Sequence, residues 1–432
     1  MPDEEDGRHA PILGAALVPL PPARSGCLTR CPSARSDGVM RARHRAALFA
    51  TSTMTGVGIA SWITRTPAVR DELGASIETM GIVLLGLSAG SMIGILGAGA
   101  LVRRTGTRPL VLVGGALPVL GMLLVALLAP AHVTAGVWAG LFCIGFGAGV
   151  AEIGLNVEAA AVERQLGRPV VPVLHACFSL GTVVGGAAGI GLTAIRTPVT
   201  VHLILATAVM AGLAAFAATN LRPVARDEPV AHEPSAHPRL RSVLTVQVLL
   251  IGVVTLAMAF AEGAASDWLP LLITSGHDAP EVVGSLVFTG FALAMLVGRS
   301  AGTPLVARFG RAPVVRACAA VGTVGVLLVV TAGSPVVTAT GAAVWGLGIA
   351  LGFPLAISAA GDHPTDGDRR VSVVATAGYV AFLAGPPLLG FLGEHLGLQA
   401  AMLVPAALLV VTVCIASATR TAQSGQRPGG TR

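Results

Sequence analysis

The stretch GFGAGVAEIGLNVEAAAVERQLGRPVVPVLHACFSLGTVVG, residues 145–185, decides the fold. It is apolar enough to cross a bilayer, yet it carries Glu152, Asn156, Glu158, Glu163 and His175. At about 100° per residue, Glu152, Asn156 and Glu163 fall within about 40° of one another, so a helix presents them as one polar stripe. His175, Ser179 and Thr182 repeat that spacing. Between the stripes, Arg164-Gln165-Leu166-Gly167-Arg168-Pro169 reads as a polar turn, which makes the two segments an antiparallel hairpin that crosses the membrane twice. A carboxylate held at membrane depth is expensive and points to a solute or proton path.

Outward from this hairpin the whole chain has the same character. Of 432 residues, 53% are hydrophobic and 12% charged, where a soluble domain carries about 25% charged residues. The mean hydropathy is +0.78. A formal charge of +6 could suggest a nucleic-acid partner, but all 28 basic residues are arginines and most lie between apolar segments. They bear on topology, and no nucleic acid is expected. Cys143, Cys177, Cys318 and Cys414 sit singly in apolar segments, while Cys27 and Cys31 lie in a Pro-rich tail, so neither a disulfide framework nor a metal site is indicated. Gly145-x-Gly147 does not complete a dinucleotide fingerprint and no phosphate loop is present, so no cofactor is expected.

Windows of about 20 apolar residues, the length that crosses about 30 Å of hydrocarbon, recur along the chain. Twelve are found, at 45–65, 79–102, 109–129, 134–160, 171–194, 198–219, 242–268, 281–306, 313–332, 335–359, 371–392 and 398–419. Loops on one side hold Arg103, Arg104, Arg108, Arg164, Arg168, Arg222, Arg226, Arg239, Arg241, Arg308, Arg311, Arg369 and Arg370. The opposite loops hold only Arg65, Arg70 and Arg196, which predicts that the arginine-rich side and both termini are cytoplasmic.

Residues 1–40 are acidic at first and then Pro-rich, and are expected to be a disordered tail without a signal peptide. Translation from Met40 would instead place Arg41, Arg43 and Arg45 directly before the first span. Residues 220–241, with Pro223, Pro229, Pro234 and Pro238 among charges, read as a linker between bundles at 41–219 and 242–419. Residues 420–432 are expected to be a second disordered tail. The bundles repeat one another: Trp62 and Trp268 are 206 apart, Gly106 and Gly310 are 204 apart, and Gly145 and Gly346 are 201 apart. A near-constant offset in matching spans indicates two parallel repeats.

The loop Gly99-Ala100-Leu101-Val102-Arg103-Arg104-Thr105-Gly106-Thr107-Arg108 resembles the major facilitator superfamily signature between spans 2 and 3, with Arg308, Gly310 and Arg311 in the second copy. Arg103 and Ala307 stand where that signature has an acid, and Thr107 replaces a common basic residue. Further stretches, Ala60-Ser61-Trp62, His175 to Gly181, Glu262 to Trp268, Gly298-Arg299, and Gly378-Tyr379 before Gly385-Pro386-Pro387, resemble the bacterial YbjJ-like branch, related to fucose-permease-like transporters. The resemblance covers about residues 41–419 and implies an all-α integral membrane fold of twelve helices in two six-helix bundles. It also implies proton coupling through an acid on span 4, whose counterpart by placement is Glu152.

Charge distribution, taken without the resemblance, separates scaffold from lining. Spans 3 and 12 have no charged residue, whereas spans 4, 5 and 7 hold Glu152, Asn156, Glu158, His175, Glu262 and Asp267. Glu152, Asn156, Glu262 and His175 are the candidates for proton coupling or solute contact, against a plain structural reading in which each is satisfied by a neighbouring helix, His175 by Glu163. Trp62, Asp267, Trp268, Arg299 and Tyr379 are the candidates for cavity wall or gate, with anchoring at the lipid interface as the alternative for the tryptophans. Pairs such as Gly90 with Gly94 and Gly145 with Gly149 read as packing surfaces. Pro354 and Pro386-Pro387 read as sites of kinking.

Together these readings predict a secondary transporter, acting as a monomer in a bacterial inner membrane, that moves a small polar, sugar-like solute coupled to protons. An exporter of amphipathic compounds is the alternative, but Gly181 to Gly191 lacks the proline of the drug-antiporter element in span 5. No Ser/His/Asp set or appended domain suggests an enzyme.

Overall fold

The structure, a computed structural model, describes residues 32–221, 244–363 and 366–420. Among these, twelve helical segments are long and apolar enough to span a membrane. The six spans of the first half are Ala42–Leu73, Ile77–Thr105, Thr107–Leu128, Thr134–Leu166, Val171–Ala194 and Val199–Asn220. Those of the second half are Val246–Gly276, Glu281–Ser300, Arg311–Thr331, Pro335–Gly361, Gly367–Leu396 and Leu398–Thr419. Helix begins at Pro32, inside the expected tail. The rest of that tail, most of the expected linker and residues 421–432 lie outside the described residues.

Glycine determines which helices meet. A Cβ on Gly94 would come within 2.5 Å of the Phe146 carbonyl, and one on Gly149 within 2.5 Å of the Ser91 carbonyl, so spans 2 and 4 pack backbone to backbone at the expected glycine pairs. The packing then repeats through the molecule. Span 2 meets 4 as span 8 meets 10, span 3 meets 4 and 6 as span 9 meets 10 and 12, and span 1 meets 5 as span 7 meets 11. The internal repeat seen in the residue offsets is therefore also a repeat of contacts.

Between the halves, span 2 packs on span 11 and span 5 on span 8. The described polar contacts across this junction all lie at one end. Arg65 Nη1 is 3.6 Å from Glu281 Oε2, Ser285 Oγ donates to the Thr64 carbonyl at 3.1 Å, and Arg70 Nη1 donates to Ser275 Oγ at 2.6 Å. The Ile77 amide donates to Glu394 Oε2 at 2.9 Å, so a span 11 carboxylate caps span 2. Gly81 and Gly390 meet beside it, where a Cβ on Gly81 would lie 2.7 Å from the Pro386 carbonyl. The halves are thus sealed at the end away from the arginine-rich loops.

Proline acts differently in its two expected positions. Span 10 breaks between Ile349 and Gly352, at the carbonyl that Pro354 cannot bond. Span 11 instead continues as one helix through Pro386 and Pro387.

Candidate functional site

Glu152 stands 18 residues into span 4, about 27 Å along that helix at 1.5 Å per residue. Its side chain is exposed to a cavity of ≈ 230 Å³ within the first half, lined also by Ser52 and Thr55 of span 1, Ser91 of span 2, Asn156, and His175 of span 5. Glu152 and Asn156 of span 4 thus share this cavity with His175 of span 5, while Ser179 and Thr182 of span 5 border a second cavity. His175 of span 5 and Tyr379 of span 11 both lie in the neighbourhood of Glu152. Among the described residues no hydrogen bond or ion pair reaches the Glu152 carboxylate. Asn156 Nδ2 donates to the Glu152 carbonyl at 2.9 Å, which leaves its own carbonyl oxygen free.

Glu163, at the foot of the same stripe, has another task. Its Oε2 accepts from the amides of Val170 at 2.8 Å and Val171 at 3.0 Å, satisfying orphan donors where span 5 begins. The alternative pairing of Glu163 with His175 is therefore replaced by a capping role, and His175 is left to the cavity.

A second cavity, of ≈ 220 Å³, lies between spans 5 and 8 and is bordered by Arg299. Arg299 Nη2 donates to Glu262 Oε1 at 2.9 Å, so two of the expected residues form one ion pair between spans 7 and 8.

The sequence profile of the Major Facilitator Superfamily matches residues 9–162, 171–364 and 273–431. The chain belongs to the major facilitator superfamily. An MFS-type transporter of Yersinia pestis is 27% identical over 371 residues, covering 84% of this chain and 93% of the relative. A transporter of Sinorhizobium fredii is 30% identical over 344 residues, covering 79% of this chain and 89% of the relative. Among solved structures, the nucleoside transporter NupG aligns with a TM-score of 0.68 at 14% identity, over 87% of this chain and 98% of that one. A D-xylose-proton symporter aligns with a TM-score of 0.68 at 14% identity, over 88% and 97%. These likenesses show the twelve-helix fold.

As a major facilitator superfamily member, the chain shows its signature twice. Gly106 and Gly310 have φ of +83° and +79°, and each donates its amide to the carbonyl four residues back at 2.9 Å. That conformation favours glycine and closes each helix in the same way. Arg104, Arg108 and Arg308 are exposed beside them, while Gly99 near the end of span 2 is half-buried. Arg311 binds Asp362 at 2.6 Å, joining spans 9 and 10.

Two expectations change. Trp62 and Trp268 are fully buried in the main apolar core and line neither cavity. Asp267, beside Trp268, is half-buried and lines neither cavity.

Three features lay beyond the sequence reading. Glu158 is 3% exposed, lies 3.0 Å from His44 Nε2 and accepts from the Thr107 hydroxyl. Arg65, also 3% exposed, donates through Nε to His202 Nδ1 at 2.9 Å and through Nη2 to the Thr197 carbonyl at 3.0 Å. Phe178 borders both cavities. For Glu158 a signal existed, since Thr107 and Glu158 each lie 204 residues before Arg311 and Asp362.

Proposed function

We propose that this superfamily member is a secondary active transporter that moves a small polar solute by alternating access, with Glu152 carrying the coupling proton. The carrying observation is a carboxylate at mid-membrane depth that has no ion-pair or hydrogen-bond partner among the described residues and opens into a cavity with His175 and Asn156. Protonation removes the penalty of moving that charge through a low-dielectric interior, so the loaded carrier changes conformation at lower cost than the empty, ionised one. Hydroxyl, amide and imidazole groups around it suit a sugar-like solute. The polar contacts at the sealed end must break when the halves rock.

The arginine distribution supports an inner-membrane orientation with both termini and the arginine-rich loops cytoplasmic, which makes the sealed end the outer one. The quoted motifs support the YbjJ-like branch, and membership of a superfamily whose matched relatives are transporters supports transport without enzymatic chemistry. A monomer suffices, because both halves of the path come from one chain.

The test is proton flux in vesicles that contain the purified protein and a pH-sensitive dye, with pentoses, hexoses and polyols added in turn. Wild-type protein should show solute-dependent proton movement, and Glu152→Gln should abolish it while inserting normally. Undiminished proton movement in Glu152→Gln would remove Glu152 from the coupling role.

A further inference from the structure

The two cavities share one lining residue, Phe178 on span 5. Each alone is smaller than the roughly 300 Å³ at which ligand pockets begin, and joined they pass it. Their free hydrogen-bonding capacity differs sharply.

In the first chamber the hydroxyls of Ser52 and Thr55 already donate to the carbonyls of Leu174 at 2.7 Å and Thr51 at 3.1 Å. Glu152, Ser91, the His175 ring and the Asn156 carbonyl oxygen remain available. In the second chamber Ser179, Thr182 and Thr289 each donate to a carbonyl of their own helix, at 3.1, 3.1 and 2.8 Å. Its charged residue, Arg299, is neutralised by Glu262. Most of the remaining wall is apolar, from Val183 on span 5 to Phe288, Leu293, Met295 and Leu296 on span 8. A polar group placed there would meet only hydroxyls already committed as donors and a guanidinium already paired with Glu262, whereas an apolar group gains by burial against the predominantly apolar wall.

We infer that the solute has two parts: a hydrogen-bonding head of sugar size in the Glu152 chamber, and an apolar ring or short chain that passes Phe178 into the chamber between spans 5 and 8. This rests on the transport reading above and narrows its substrate to apolar glycosides or chemically similar substituted polyols. Phe178 is then a specificity-determining residue, because its ring sets the width of the passage.

The experiment measures thermal stabilisation of the full-length purified protein by pentoses and hexoses, and by their methyl, butyl and phenyl glycosides. At least one butyl or phenyl glycoside should bind about tenfold more tightly than its parent sugar, the effect of burying one ring-sized apolar group. Leu293→Trp, which fills the second chamber, should abolish that gain and leave the parent sugar's affinity within about twofold. Leu296→Trp serves as an independent filling variant should Leu293→Trp not fold. Equal binding of sugar and glycoside, a gain that survives both filling variants, or no stabilisation by any member of the panel overturns the inference. Proton movement that still depends on Glu152 in the vesicle assay would leave the transport reading standing in each case.

Discussion

Thr107 and Arg311 occupy equivalent places in the two halves, 204 residues apart, and each reaches a carboxylate of the fourth span or the residue just after it, Glu158 and Asp362 respectively. The second half uses a permanent cation there, with Nη1 to Oδ2 at 2.6 Å and Nη2 to Oδ1 at 3.4 Å. A hydroxyl brings no charge, and in the first half His44 fills the gap, 3.0 Å from Glu158. Removing His44 leaves a buried carboxylate with a hydroxyl donor and no basic partner. His44→Ala should therefore destabilise the protein by about 3 kcal/mol, as for one member of a buried pair. Arg311→Ala should cost about 1 kcal/mol, since Asp362 is partly solvated. Thermal unfolding in detergent checks both values. Adding Thr107→Arg to His44→Ala should recover most of the loss, because the arginine would restore the arrangement of the second half.

The contacts of Arg65 with Glu281, His202 and Thr197 join spans 1, 6 and 8 at the sealed end. Arg65→Ala removes the cross-half member of this group and should shift the equilibrium toward opening at that end by roughly 1–2 kcal/mol. A cysteine introduced at Thr289, in a background without the native cysteines, reports the change. Its labelling by an impermeant maleimide added from the sealed side should accelerate severalfold in Arg65→Ala, and unchanged labelling would deny this contact a gating role.

Gly81 tests the same seal by sterics rather than charge. Its missing Cβ would lie 2.7 Å from the Pro386 carbonyl and 3.0 Å from the Gly390 Cα. Gly81→Val should prevent full closure, widen the distance between spin labels at positions 78 and 394, and stop transport without loss of insertion. A fully closed distance in that variant would mean the seam yields.

Much of this architecture was legible in advance because its signals are local. Apolar length identifies a span, arginine marks a loop, and a glycine pair at helical spacing marks a close contact. The stripe of Glu152, Asn156 and Glu163 on span 4, and that of His175, Ser179 and Thr182 on span 5, were legible for the same reason. The role of Glu163 depended on where span 5 would begin, and its carboxylate reads equally well as part of the stripe. The offset that relates Trp62 to Trp268 shows equivalence but not burial, which depends on the neighbours each ring acquires. Thr107 is visible as a departure from the signature, yet its compensation by His44 comes from a helix distant in sequence. The cavity between spans 5 and 8 could not be read at all, because it exists only where those two helices face each other.

The meeting of Gly81 with Gly390 has a mechanical consequence. Two backbone surfaces without interlocking side chains can separate and re-form without any rotamer having to change, so the seam itself adds little friction to the motion. The speed of opening is then governed by how fast the ion pair and hydrogen bonds around its rim dissociate.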